Sequence, residues 1–191
     1  MQPLALDICC GKGGWAKGLV AEGWRVIGID IDDYSHVYPG EFIQADILQW
    51  RGWRTLAPQL IVASPPCQEF SRWSMPWTRA KHPPVPNISI WNVCQLIAAA
   101  LKCPLVLENV KGAQQFMGRS QANCGPFHLW GDLPAIVPAF HGRKKESLSS
   151  CRRADRATVP FVLAAHIARC FRRDSGLQRK NSLIPQGQLL N

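Results

Sequence analysis

No stretch of this 191-residue chain approaches the roughly 20 uninterrupted apolar residues of a membrane span, so no membrane partner is expected. Met1-Gln2-Pro3-Leu4 carries neither a basic n-region nor a long apolar h-region, so no secretory signal is expected either. The eight cysteines include no CxxC pair. That spacing argues against zinc, and no metal is expected. Without a secretory signal it also argues against a disulfide framework and for reduced thiols in a cytoplasm. No internal repeat is present. Acidic residues are scarce at one end only. Residues 1–140 carry 11 Lys/Arg against 10 Asp/Glu, whereas residues 141–191 carry 11 against 3. A basic block joined to a near-neutral part suits a polyanionic partner, most simply nucleic acid; the plain alternative is a solvated tail. With 47% hydrophobic residues, the chain can build the core of one domain.

What is present alternates apolar runs with turns and helical patterns. Leu4-Ala5-Leu6-Asp7-Ile8 runs into Cys9-Cys10-Gly11-Lys12-Gly13-Gly14, and Trp15 to Glu22 reads as a helix stopped by Gly23. Strand, glycine turn and helix open a nucleotide-binding βαβ unit, whose helix N-terminus favours polar or anionic groups. Arg25 to Ile29 is a second strand ending in Asp30, about 20 residues past the glycine turn, where a carboxylate can accept both hydroxyls of a ribose. The turn reads GxGG and not GxGxxG, which favours S-adenosylmethionine over a nicotinamide cofactor. Asp32 and Asp33 read as solvated turn residues. Phe42 to Ile47 is another short apolar segment, whose Asp46 either accepts a hydrogen bond from an adenine amino group or caps a turn.

Leu60-Ile61-Val62-Ala63 then ends abruptly at Ser64-Pro65-Pro66-Cys67-Gln68. Proline donates no ladder bond, so the strand stops and the next side chain is held rigidly. Cys67 is therefore a candidate nucleophile, against the alternative of an inert buried thiol. Gln68 to Pro86 interleaves Arg72, Arg79 and Lys81 with Phe70, Trp73 and Trp77, a composition suited to a lid over nucleic acid; the alternative is an irregular loop that folds its tryptophans into the core. Ile90, Val93, Cys94, Ile97, Ala98 and Leu101 mark one face of a helix. Pro104 to Leu107 is the next strand and ends in Glu108-Asn109-Val110, where a carboxylate beside an apolar wall can carry a proton.

Helices crossing between short apolar strands give an α/β domain with a mostly parallel sheet, which binds ligands at the carboxyl ends of its strands. Asp7, Asp30, Cys67 and Glu108 all fall there. Phe116 to Pro138 is rich in Gly, Pro and aromatics and reads as irregular; residues 141–156 are polar and basic and read as a flexible or a DNA-facing segment. A helix is expected from Thr158-Val159-Pro160 through Phe171, with Leu163, Ala164, Ile167 and Phe171 on one face. Residues 172–191 read as a basic flexible tail.

In this order the motifs resemble those of the cytosine-5 DNA methyltransferases, and the chain looks like a short, phage-like member of that family. Asp7 to Gly14 resembles the cofactor loop, with Cys9 where phenylalanine is usual; Asp30 and Asp46 match the ribose and adenine acids. Pro65-Pro66-Cys67-Gln68 with Phe70-Ser71 matches the catalytic-cysteine motif, and Glu108-Asn109-Val110 matches the Glu-Asn-Val motif. The resemblance implies a Rossmann-like S-adenosylmethionine-dependent fold, with helices on both faces of a mostly parallel sheet. It implies Cys67 and Glu108 as catalytic residues. It also implies Asp7, Cys9, Gly11, Gly13, Gly14, Asp30, Ile31, Asp46, Ile47 and Pro66 around S-adenosylmethionine, which leaves as S-adenosylhomocysteine. Gln68, Ser71, Arg72, Asn109 and Arg119 are implied as substrate contacts.

The expected organisation is a single catalytic domain over residues 1–171, with 113–156 as a reduced recognition segment and 157–171 as the closing helix. No Gln-x-Arg-x-Arg motif is found; Arg119 and Gln121 come nearest. No Gly-Asn precedes the last helix, and 113–156 has no room for a recognition domain. Specificity is therefore expected to be low, or to come from a homodimer or an accessory protein. The expected partner is double-stranded DNA in the cytoplasm of a bacterial or phage-infected cell, where methylation evades restriction. An RNA cytosine-5 methyltransferase of the transfer-RNA type, or a cofactor- or DNA-binding module that has lost catalysis, are the alternatives.

Overall fold

Seven short strands form one sheet in the order β3-β2-β1-β4-β5-β7-β6. They are β1 (Leu4–Ile8), β2 (Arg25–Asp30), β3 (Glu41–Gln44), β4 (Leu60–Ala63), β5 (Leu105–Asn109), β6 (Ala122–Cys124) and β7 (Phe127–Gly131). The computed structural model describes residues 2–73, 86–138 and 158–181. Strands β1 to β5 pair in parallel, and β7 runs antiparallel to both β5 and β6. The chain winds outward from β1 to β3 and then returns to β4. The crevice at the carboxyl ends of β1 and β4 is thus a topological switch point, where open α/β sheets bind ligands.

Among the described residues the helices are α1 (Gly14–Ala21), α2 (Gln68–Trp73), α3 (Ser89–Leu101), α4 (Gln114–Met117) and α5 (Phe161–Asn181), with 3-10 turns at Gly52–Thr55 and Lys111–Ala113. Period-two alternation divides the strand side chains between two cores. Ala5, Val62 and Val106 meet Leu19 of α1 and Leu163, Ala164 and Ile167 of α5 on one face. Leu6, Ile8, Ile61, Leu105 and Leu107 meet Trp91, Cys94, Ile97 and Ala98 of α3 on the other. The fold is the expected Rossmann-like α/β class, mostly parallel with helices on both faces.

Helix α5 lies directly on α1. A Cβ added to Gly18 would come within 2.5 Å of the Ala164 Cβ and the Ala165 nitrogen, so only glycine permits the approach. Trp24 Nε1–H donates to the Ala168 carbonyl at 3.1 Å, joining residues 144 apart in sequence.

Two expectations are corrected here. Phe116 to Pro138 is not irregular throughout, because it carries the end of α4 and the β6–β7 hairpin that completes the sheet. Gly125, with φ 60°, supplies the left-handed residue that the tight connection needs. The last helix also continues to Asn181 and does not stop at Phe171, so part of the expected tail is helical. Residues 74–85 of the expected lid, the expected basic segment at 141–156, and 182–191 lie outside the described residues. Among the described residues no helix is long and apolar enough to cross a membrane, and no His/Cys/Asp/Glu group is arranged to hold a metal. The seven cysteines among them are unbridged.

Candidate active site

The glycine turn after β1 is built from left-handed residues: Cys9 at φ 55°, Gly11 at 48° and Gly13 at 77°. A non-glycine residue in that region is uncommon, so Cys9 stands in a constrained position. A Cβ on Gly13 would meet Pro39 Cδ at 2.5 Å, whereas a Cβ on Gly11 would meet nothing within 4 Å. Space is therefore open above Gly11. The Gly11 amide donates to Asp30 Oδ2 at 2.8 Å, and the Asp32 amide to Asp30 Oδ1 at 3.2 Å. One carboxylate thereby ties the turn after β1 to the end of β2. Helix α1 starts at Gly14 with neither a side-chain cap nor an acidic residue in its first turn.

Ile31, next to Asp30, is exposed, while Ile47 is buried. Asp46 makes the turn-capping bonds: Oδ1 accepts the Leu48 amide at 2.9 Å and Oδ2 accepts Gln49 Nε2–H at 3.2 Å.

Asp7 is fully buried beneath this turn. Its Oδ2 accepts the Tyr38 hydroxyl at 3.0 Å, and its Oδ1 lacks a hydrogen bond of normal geometry, though the Ala16 amide lies close enough to favour the anion. Burial holds the carboxyl well above the usual range, and the bonds from Tyr38 and Ala16 offset part of that. Burial likewise pushes the Tyr38 phenol up. No helix crosses between β2 and β3, and Tyr38 fills that place. A Cβ on Gly28 would lie 2.3 Å from its ring, which is why this strand interior needs glycine. Tyr38→Phe leaves a buried carboxyl without its side-chain donor. The expected loss is about 1–3 kcal/mol in urea unfolding, and a loss below about 0.5 kcal/mol rules the bond out as a stabilising contact.

Cys67 follows β4 across Pro65 and Pro66 and opens α2. The Ser71 amide closes the first helical turn onto the Cys67 carbonyl at 2.9 Å. Pro65 is buried and Pro66 exposed. Asn109, at the end of the neighbouring β5, donates from Nδ2 to the Pro65 carbonyl at 2.9 Å, while its Oδ1 accepts the Val110 amide at 2.9 Å. The two motifs are thus bonded to each other. Burial, then the negative charge of Glu108, pushes the Cys67 thiol above its ordinary value; a hydrogen bond with the Ser71 hydroxyl opposes them.

Glu108 projects to the α1 face of the sheet, where Val106 and Leu129 belong to the apolar core. It is 7% exposed. Burial raises its carboxyl to about 7, and a hydrogen bond from Ser64 opposes the rise. Ser64 Oγ in turn accepts the Trp15 indole N–H at 3.1 Å. With that lone pair engaged, the Ser64 proton is free to point at Glu108. Trp15, Ser64 and Tyr38 were not expected as site residues. A lone serine before two prolines and an indole inside a helix carry no periodic signal.

Of the expected substrate contacts, Gln68 is exposed at the start of α2, Ser71 touches the thiol, Asn109 holds the cysteine turn, and Arg72 lies in α2. Arg119 is exposed beyond α4. Gln121 is occupied within the hairpin, its Oε1 accepting the Gly131 amide at 2.7 Å.

No family model and no curated protein matches the chain. Among solved structures, it is similar to the Dnmt2 methyltransferase of S. pombe, at 17% identity and TM-score 0.44, over 60% of this chain and 36% of that one. The methyltransferase EhMeth of Entamoeba histolytica overlaps at 18% identity and TM-score 0.44, over 60% and 40%. The magnesium protoporphyrin IX methyltransferase ChlM of Synechocystis overlaps at 15% and 0.38, over 59% and 51%. The chain spans about a third to a half of the length of these structures. The fold assignment rests on the sheet order itself.

Proposed function

We propose that the protein is an S-adenosylmethionine-dependent cytosine-5 methyltransferase acting on DNA, with Cys67 as nucleophile and Glu108 as proton donor. The observation that carries this reading is the pairing at the ends of β4 and β5. The Cys67 thiol feels the charge of Glu108 there, and burial raises that carboxyl to about 7, beside a glycine turn.

The chemistry asks for that pairing. Carbon 5 of cytosine is too weak a nucleophile to be methylated unaided. Addition of the Cys67 thiolate to carbon 6 forms an S–C bond and pushes the ring electrons toward nitrogen 3. There the Glu108 proton neutralises the developing charge, leaving an enamine with a nucleophilic carbon 5. S-adenosylmethionine, when bound, supplies the methyl group. Water then takes the carbon 5 proton, the released electron pair restores the 5,6 double bond as the S–C bond breaks and Cys67 leaves as thiolate, and nitrogen 3 returns its proton to Glu108. The target base must leave the stack to reach the thiol.

The residues at the cofactor end fit such a ligand. The open space above Gly11, the uncapped start of α1 and the half-buried Asp30 are what a carboxylate-bearing nucleoside needs. Gly11, Gly13, Gly14 and Asp30 would hold it, with Ile31, Asp46 and Ile47 toward the base and Asp7 under the turn. Residues 113–156 leave little room for a recognition domain, so a second copy or an accessory protein supplies specificity in this reading.

The test is incubation of genomic DNA and bulk transfer RNA with the protein and S-adenosylmethionine, followed by sequencing for 5-methylcytosine. Methylation of DNA is the expected result. Methylation of RNA alone would move the assignment to the RNA branch, and methylation of neither would leave a binding module.

A further inference from the structure

The proposed chemistry does not use the segment from Lys111 to Ser120, which is fastened on both sides of the candidate site. On one side it packs on the cysteine helix. A Cβ on Gly112 would lie 2.4 Å from the Phe70 carbonyl oxygen, and the Phe70 and Phe116 rings sit 5.9 Å apart. On the other side it is bonded to β7. Gln114 Oε1 accepts both the amide of Ser120 at 3.0 Å and its hydroxyl at 3.2 Å. Ser120 Oγ also meets His128 Nδ1 at 2.9 Å, and Trp130 Nε1–H donates to the Gly118 carbonyl at 3.0 Å. His128 is the register partner of Asn109, which holds the Cys67 turn through Pro65. The contacts close a ring: cysteine turn, α2, residues 111–120, β7, β5, and back to the cysteine turn.

This fastened segment carries one exposed cation at each end, Lys111 and Arg119. Neither makes an ion pair among the described residues. Burial, and then the charge of Lys111 nearby, disfavours the charged form of His128. Two exposed cations without an ion pair among the described residues, carried on a fastened backbone, are suited to a polyanion, because little backbone entropy is lost on binding. We infer that Lys111 and Arg119 form a two-pronged clamp on the phosphodiester backbone flanking the nucleotide that enters the Cys67 site. Arg119 is already an expected substrate contact; the inference adds Lys111, the ligand group and the mount. It rests on the methyltransferase reading for the choice of polyanion. It accounts for how the protein holds a strand beside its thiol: by charge and position, with no base contact needed.

The clamp is tested by fluorescence anisotropy of a short labelled DNA duplex, and of an RNA hairpin of the same length, across a series of salt concentrations. Each lost phosphate contact lowers the slope of log affinity against log salt by about 0.9 on duplex DNA. K111A and R119A should each show that loss, and the double variant roughly twice it, with affinity at moderate salt down at least tenfold. K102Q changes an exposed lysine at the opposite end of β5 and should leave slope and affinity unchanged. Both clamp residues are exposed, and thermal melting confirms that the variants fold; K111E/R119E gives a second reading by reversing the charge. The arm with the steeper wild-type slope identifies the nucleic acid. A double variant with wild-type slope and affinity overturns the clamp and leaves the methyltransferase reading standing. A wild-type protein that binds neither nucleic acid overturns both.

Discussion

Replacing Cys67 by alanine is expected to abolish methyl transfer while leaving S-adenosylmethionine affinity within about twofold of wild type. The split follows from where the two functions sit. Cys67 stands on the turn after β4, whereas the glycine turn and Asp30 stand on β1 and β2. Alanine removes a half-buried thiol without disturbing the backbone bonds from Ser71 and Asn109 that hold the turn. Without the thiolate, carbon 5 never becomes nucleophilic, so the rate should fall by at least roughly four orders of magnitude, as for other covalent nucleophiles. Radiolabelled methyl incorporation measures the rate, and titration calorimetry measures the cofactor affinity. DNA carrying 5-fluorocytosine should trap wild-type protein as an adduct and should not trap the variant. Transfer by the variant at wild-type rate would remove Cys67 from the mechanism.

Glu108→Gln should slow transfer by about 10²–10⁴-fold and also change the shape of the pH profile. In the proposed mechanism, transfer needs a thiolate and a protonated carboxyl together. These two groups share one proton in the reactive state, so the profile belongs to the pair. Below about 7 a second proton binds and the thiol cannot ionise. Far above it both protons leave, and Glu108 can no longer donate. Wild-type kcat/KM should therefore rise to about pH 7, hold, and fall only at high pH, because burial and the Glu108 charge raise the Cys67 thiol. In the variant the limb near 7 should vanish. What remains should climb tenfold per pH unit until the thiol ionises, at a lower pH than in wild type because the neighbouring negative charge is gone. A limb retained near 7 would assign it to a different group.

Much of this site was legible in sequence, because its parts stand at abrupt changes of pattern. Cys67 follows two prolines, Asp30 ends an apolar run, and Glu108 interrupts another. An α/β sheet collects its strand ends along one edge, so these three interruptions converge without any long-range information. The partners that tune them are different. Ser64 acts because Trp15, 49 residues away, occupies its lone pair. Tyr38 reaches Asp7 across 31 residues through space left by Gly28. Contacts of that kind depend on packing, and no local pattern announces them. The β6–β7 hairpin had a local signal that was outweighed: Gly125-Pro126 is a two-residue connection, followed by apolar Phe127 and Leu129 in strict alternation. The surrounding glycines, prolines and aromatics hid it. Arg172 to Asn181 was hidden differently, since a polar, basic composition reads as tail whether or not the backbone is helical.

The contact between α5 and α1 fixes the order in which this chain can finish folding. The glycine turn belongs to the first 14 residues, and its helix buries its apolar face against residues that follow Pro160. During synthesis, α1 therefore leaves the ribosome with Leu19 and the Gly18 groove uncovered, and it stays so until Ala168 has emerged to take the Trp24 indole. Contacts this distant in sequence close slowly, because loop entropy is spent before they form. The part of the sheet beside the glycine turn therefore completes its packing only after strands β4 to β7, which come between α1 and α5 in the chain, have been made.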